Sequence, residues 1–194
     1  MPCQMRILVR GLMLAAVLAW PALAAKLNGV TFPSYENAGH AELVLNGAGL
    51  RTYSIFHVHI YAAGLYLQDP SHDARDILAS SSTKMLVLRF VRSVPVAKVR
   101  NAWRKGLREN CVAPCTLSPE HVARFLSSLH AVHAGDTAAF LFTKNGLRVY
   151  YDDKLAGVIS DPHFARQMLA VFIGPHPSAP GLKAALLGYD GKSG

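Results

Sequence analysis

The 194 residues suit a single domain of ordinary size, with room for a real core. A formal charge of +8 could favour nucleic acid, anionic lipid or acidic ligands, but lysine and arginine are spread along the chain without a dense basic run. That spread argues against a nucleic-acid interface and describes solvated basic faces that also draw anions.

The first segment stands apart from the rest. Arg6 and Arg10 precede an apolar run over residues 11–20, and the small-residue pattern Ala22-Leu23-Ala24 follows. This order predicts a secretory signal peptide over residues 1–24, a mature domain over residues 25–194 and a periplasmic location. The apolar run is shorter than the roughly 20 residues that cross a bilayer, so no stable membrane span is expected after cleavage. No cysteine sits beside the cleavage point to carry a lipid. Cleavage takes two of the 20 basic residues and none of the 12 acidic ones, and the mature charge of +6 remains basic.

Residues 27–32 mix apolar side chains with the turn formers Asn28 and Gly29 and stop at Pro33, which predicts a short strand. Two longer strands are expected over residues 41–50 and 54–67, joined near Arg51, with Asp69-Pro70 ending the second. Asp73 can cap a short helix reaching Ala79, and the β-rich run over residues 84–91 returns the chain to strand. Ser93 and Pro95 open a helix whose apolar stripe is Val96, Val99, Trp103 and Leu107, with basic side chains opposite.

A second helix starts at Ser118-Pro119-Glu120, where serine caps and proline suits the first turn, and reaches about His130. Residues 137–143, 147–151 and 155–159 form a predicted meander with turns at residues 144–146 and 152–154. Asp161-Pro162 opens a helix through Ile173, Gly174 ends it, and residues 181–187 give a last helical stretch. Strands, helices, strands and helices follow in blocks. That segregation defines an α+β class with helices on one face of a largely antiparallel sheet.

Few residues point to chemistry. Export places Cys111 and Cys115 in an oxidising compartment, where a local disulfide is expected to fix the turn after a helix. Redox activity would lead one to expect two residues between the thiols, and three are present. Alternation puts His57 and His59 on one strand face with Tyr61, a spacing compatible with a metal, but a third ligand would have to come from elsewhere, and no metal site is assigned. No nucleophile elbow and no phosphate loop is present.

Arg51 follows Asn46-Gly47-Ala48-Gly49-Leu50, where small residues allow close approach of backbone and ligand. Its guanidinium could clamp a carboxylate or phenolate with two hydrogen bonds. The plainer alternative is an arginine paired with a surface acid at a strand end. Phe140, Phe142, Tyr150 and Tyr151 could stack bases on a sheet, but alternation assigns at least half of them to the core.

Residues 45–51, Leu-Asn-Gly-Ala-Gly-Leu-Arg, followed by Val-His-Ile-Tyr-Ala-Ala-Gly-Leu-Tyr-Leu over residues 58–67, resemble chalcone isomerase-like proteins. Gly157-Val158-Ile159, residues 161–164, Phe172-Ile173-Gly174-Pro175 and residues 182–188 are similar to the bacterial exported branch of that family. The resemblance covers nearly all of the mature chain in the same order of elements. It implies an open-faced β-sandwich, a large antiparallel sheet and a helical layer enclosing a ligand cleft.

In the plant enzymes of the family, an arginine matching Arg51 steadies an oxyanion during ring closure. A threonine that helps stabilise the enolate falls at Tyr61 in this chain, and the expected tyrosine and asparagine fall near Pro95 and Ala102. Because enolate stabilisation depends on positioned donors, whether the chain is an enzyme is left open by this pattern. Other members of the family resemble fatty-acid carriers, in which the same arginine meets a carboxylate.

The resemblance therefore implies non-catalytic binding of a fatty acid or similar amphipathic anion, with isomerisation of a conjugated carbonyl compound as the alternative. The ligand-lining candidates are Arg51, Thr52, Tyr61, Phe90 and Lys98, together with Ile60, which alternation places opposite Tyr61. A small amphipathic or carboxylate ligand is the expected partner, and no cofactor is expected.

Overall fold

The computed structural model describes residues 24–53 and 58–189. Seven strands form one antiparallel sheet in the order of the chain: β3 (Tyr35–Ala38), β4 (Ala41–Tyr53), β5 (Val58–Leu67), β6 (Lys84–Phe90), β7 (Thr137–Thr143), β8 (Gly146–Tyr151) and β9 (Lys154–Ile159). Helices α1 (Ala74–Ala79), α2 (Val96–Asn110), α3 (Pro119–Ser127), α4 (Pro162–Ile173) and α5 (Pro180–Leu186) complete the chain. The α+β open-faced architecture is as expected.

Several expected boundaries need correction. Residues 27–32 are not one strand: β1 (Ala25–Leu27) and β2 (Val30–Phe32) form a separate hairpin. Asn28 and Gly29 have φ of 48° and 81°, the left-handed pair that matches a two-residue hairpin turn to strand twist. Strand β3 is an additional four-residue edge. No joint falls at Arg51 either, since β4 continues through it to Tyr53. The start expected at residue 54, and His57 with it, lie outside the described residues.

The sheet has two differently covered faces. On β5, Tyr61, Ala63, Leu65 and Leu67 join the main core with the helices, while Ala62 and Tyr66 join a smaller core around Phe32 of β2. Period-two alternation causes this split. Gly64 admits the Phe32 ring, because a Cβ there would stand 2.7 Å from its Cδ1 atom. At the centre of the main core, Trp103 meets Phe125, Phe140 and Phe172 edge-on, with centroids 5.1, 5.3 and 5.5 Å away. One indole thereby ties α2 to α3, α4 and the sheet.

Three of the five described helices start at a side-chain cap. The side chains of Asp73, Ser118 and Asp161 accept from the first-turn amides of α1, α3 and α4. Arg100, on the basic side of α2, donates to the carbonyls of Leu126 and Leu129 at 2.9 and 3.1 Å and satisfies the end of α3. The expected Cys111–Cys115 disulfide follows α2.

Candidate functional site

Arg51, Tyr61 and Phe90 stand directly opposite one another on three neighbouring strands, in the register Arg51 to Tyr61 and Tyr61 to Phe90. Directly opposed residues share a face. Tyr61 and Phe90 both pack on the main core, so this row faces the helical layer, and their rings meet edge-on at 5.6 Å and 69°. Sheet register therefore assembles the cation, the phenol and an apolar surface that sequence reading placed on separate segments.

Arg51 is half-buried, and its Nη1 donates to the backbone carbonyl of Thr52 at 3.3 Å. Among the described residues, no carboxylate lies within ion-pair distance of it. With a single neutral acceptor among the described residues, most of the guanidinium fork is not engaged by them and suits an anion. Burial pushes the Tyr61 phenol up to about 12, although the adjacent Arg51 charge pulls it back. Tyr61 thus keeps its proton at neutral pH and can donate to an oxyanion.

The other candidates are less closely joined. Thr52 is half-buried and pairs with His59, one step along the strands from Arg51. Ile60 is the extra residue of a bulge where the register passes from Arg51–Tyr61 to Thr52–His59. A bulge interrupts alternation, so the expected shared face of His59 and Tyr61 and the expected opposition of Ile60 and Tyr61 cannot be carried across it. Lys98 lies exposed in the first turn of α2, and no described hydrogen bond or ion pair joins it to Arg51 or Tyr61.

The structure also reassigns Asn46, Gly47 and Gly49. A Cβ at Gly47 would stand 2.1 Å from the Ala185 carbonyl oxygen, and one at Gly49 would stand 2.6 Å from the Ala185 Cβ. The glycines make room for α5, not for a ligand. Asn46 is the bulged residue that anchors this contact. Its Nδ2 donates to the Leu186 carbonyl at 3.0 Å, and its Oδ1 accepts from the Ser71 amide at 2.9 Å.

Sequence reading also missed an unpaired atom. The buried Nδ1 of His59 has no hydrogen-bond partner among the described residues. An unpaired buried polar atom costs free energy unless a ligand, water or ion meets it. The alternation that linked His59 to His57 gave no signal for this.

A sheet of seven antiparallel strands in sequential order, with helices on one face and an arginine opposite a tyrosine, defines an open-faced half-barrel. The sequence matches the chalcone isomerase-like family model over residues 24–188, and the chain belongs to that family. A search of curated proteins gives no match. The chain is similar in structure to a fatty-acid binding protein of Arabidopsis thaliana, with a TM-score of 0.70 and 17% sequence identity, over 85% of this chain and 96% of the plant one.

Proposed function

We propose that the chain is a non-catalytic carrier of a fatty acid or similar amphipathic carboxylate, exported by the segment over residues 1–24 and acting in the periplasm. The observation that carries this reading is the half-buried Arg51 beside a protonated Tyr61, with no described carboxylate to neutralise it. A carboxylate head would take two hydrogen bonds from the guanidinium and one from the phenol, the charge-assisted arrangement that fixes planar anions. Phe90 and the apolar core beside it would receive the start of the tail.

The likeness to a plant fatty-acid binding protein supports the ligand class. Binding is also favoured over proton transfer by Tyr61, because a phenol held near 12 is poorly matched to acid–base work at neutral pH.

Native mass spectrometry of the purified mature protein tests the proposal. The expected result is a co-purified fatty acid that is lost in Arg51→Ala. A lipid-free wild type that instead cyclises a chalcone would overturn the carrier reading. N-terminal sequencing of the periplasmic fraction tests export, which predicts a chain starting at residue 25.

A further inference from the structure

The opposite end of the sheet carries a different concentration of charge. There the register runs from Leu67 to Lys84 to Phe142, six strand positions from the Tyr61–Phe90 row and about 20 Å away at the usual rise. Lys84 is only 6% exposed, although a lysine that deeply buried ordinarily has a carboxylate partner. None is present among the described residues. Its Nζ donates instead to the carbonyls of Ser80 and Ser82 at 2.7 and 2.8 Å. An ammonium has three N–H bonds, and the third meets no described protein acceptor.

Lys84 lines a cavity of about 100 Å³ together with Lys144, Arg166, Ser81 and Thr143. Lys144 and Arg166 are exposed and lie at its mouth, and neither forms an ion pair with a described acid. No carboxylate belongs to the lining, which excludes a metal cation as the occupant. Asp69, whose charge acts on Lys84, is hydrogen-bonded to the Ser82 hydroxyl at 2.6 Å and lines the neighbouring, larger cavity. Burial, reinforced by the Arg166 charge, holds the ammonium below its usual range despite Asp69. Excess positive charge is what an anion would neutralise.

We infer that Lys84, Lys144 and Arg166 form a second anion site, separate from Arg51, that takes a small phosphate-type oxyanion. Three cations and a rim of hydroxyls suit a compact group with several acceptor oxygens better than a singly charged carboxylate. The volume admits a phosphate-sized group and little more, since each liquid water occupies about 30 Å³.

The test is a titration of the mature protein with inorganic phosphate in about 0.15 M chloride, near physiological ionic strength, followed by amide chemical shifts. Saturable shifts are expected in the residues around Ser80, Lys84 and Thr143. Lys144→Gln and Arg166→Gln, both at exposed positions, should each weaken phosphate binding about tenfold, the size of one charged hydrogen bond. Arg51→Ala should leave phosphate affinity unchanged.

Glycerol 3-phosphate binding tighter than phosphate would identify a phosphomonoester as the source, and equal affinity would identify the free ion. Lys84→Met should abolish binding. If it unfolds the chain, the two glutamine variants still decide the matter. Failure to saturate in chloride, unchanged affinity in both glutamine variants, or loss of phosphate binding in Arg51→Ala would each overturn the site. Because Arg51→Ala is expected to lose fatty acid and keep phosphate, failure of one proposal is distinguishable from failure of the other.

Discussion

The two parts of β4 on either side of Leu50 are used in opposite ways. From Asn46 to Gly49 the strand is sealed, with α5 pressed so close that no Cβ fits at Gly47 and the Asn46 amide holding the helix end. Two residues further on, Arg51 shares the helix-facing side, and among the described residues its side chain is hydrogen-bonded only to the backbone carbonyl of its neighbour. Within one seven-residue run, then, small residues serve packing and the single charged residue is left for a partner. A run of conspicuous residues need not have a common purpose.

Substitutions can break this contrast, and the largest effect belongs to the sealed half. Gly47→Ala should cost about 3 kcal/mol in thermal or urea unfolding, because the new methyl meets backbone that cannot rotate away. Asn46→Ala removes the hydrogen bonds to Leu186 and Ser71 and should cost about 2 kcal/mol by the same measurement.

Asp161 is a reference remote from both halves. It caps α4 through the amides of His163 and Phe164 and accepts from His121 at 2.7 Å, so Asp161→Ala should cost about 1–2 kcal/mol near neutral pH. Burial acts to raise its pKa, but the Phe164 amide, the His121 ring and the His163 amide outweigh burial and hold it below the ordinary value. A depressed folded pKa means that the contribution is complete above about 4 and is lost as pH falls through the folded value. Unfolding curves between neutral pH and pH 3 should show the wild type converging on the variant at the acid end.

Arg51→Ala should give the smallest stability change, within about 0.5 kcal/mol, while removing ligand binding. A cost near that of Gly47→Ala would instead make the arginine part of the scaffold and erase the contrast between the two halves.

What could be read from the sequence follows from which features are local. Ser118-Pro119 and Asp161-Pro162 mark their helices because a cap and its first-turn amides lie within three residues. Alternation along β5 also puts Tyr61, Ala63 and Leu65 on one face, and all three join the main core. Strand β3 gave no such signal, being four residues held by pairing with β4. Nor did the bulges at Asn46 and Ile60, which depend on the neighbouring strand.

The role of Asn46 required knowing what sits against it, and that partner, Leu186, is 140 positions away. Arg51 was singled out from its neighbours, yet the glycines that drew attention to it belong to helix packing. The Lys84 cluster escaped notice because three cations from separate segments resemble ordinary surface charge until the fold brings them together.

The carboxylate clamp at Arg51 is tested most directly by calorimetric titration of one long-chain fatty acid and its methyl ester into wild type and Arg51→Ala. The wild type should prefer the acid by about tenfold or more, the size of a charged hydrogen bond, and the variant should bind the two alike. Equal affinity of acid and ester for the wild type would contradict the clamp, whatever else the protein binds.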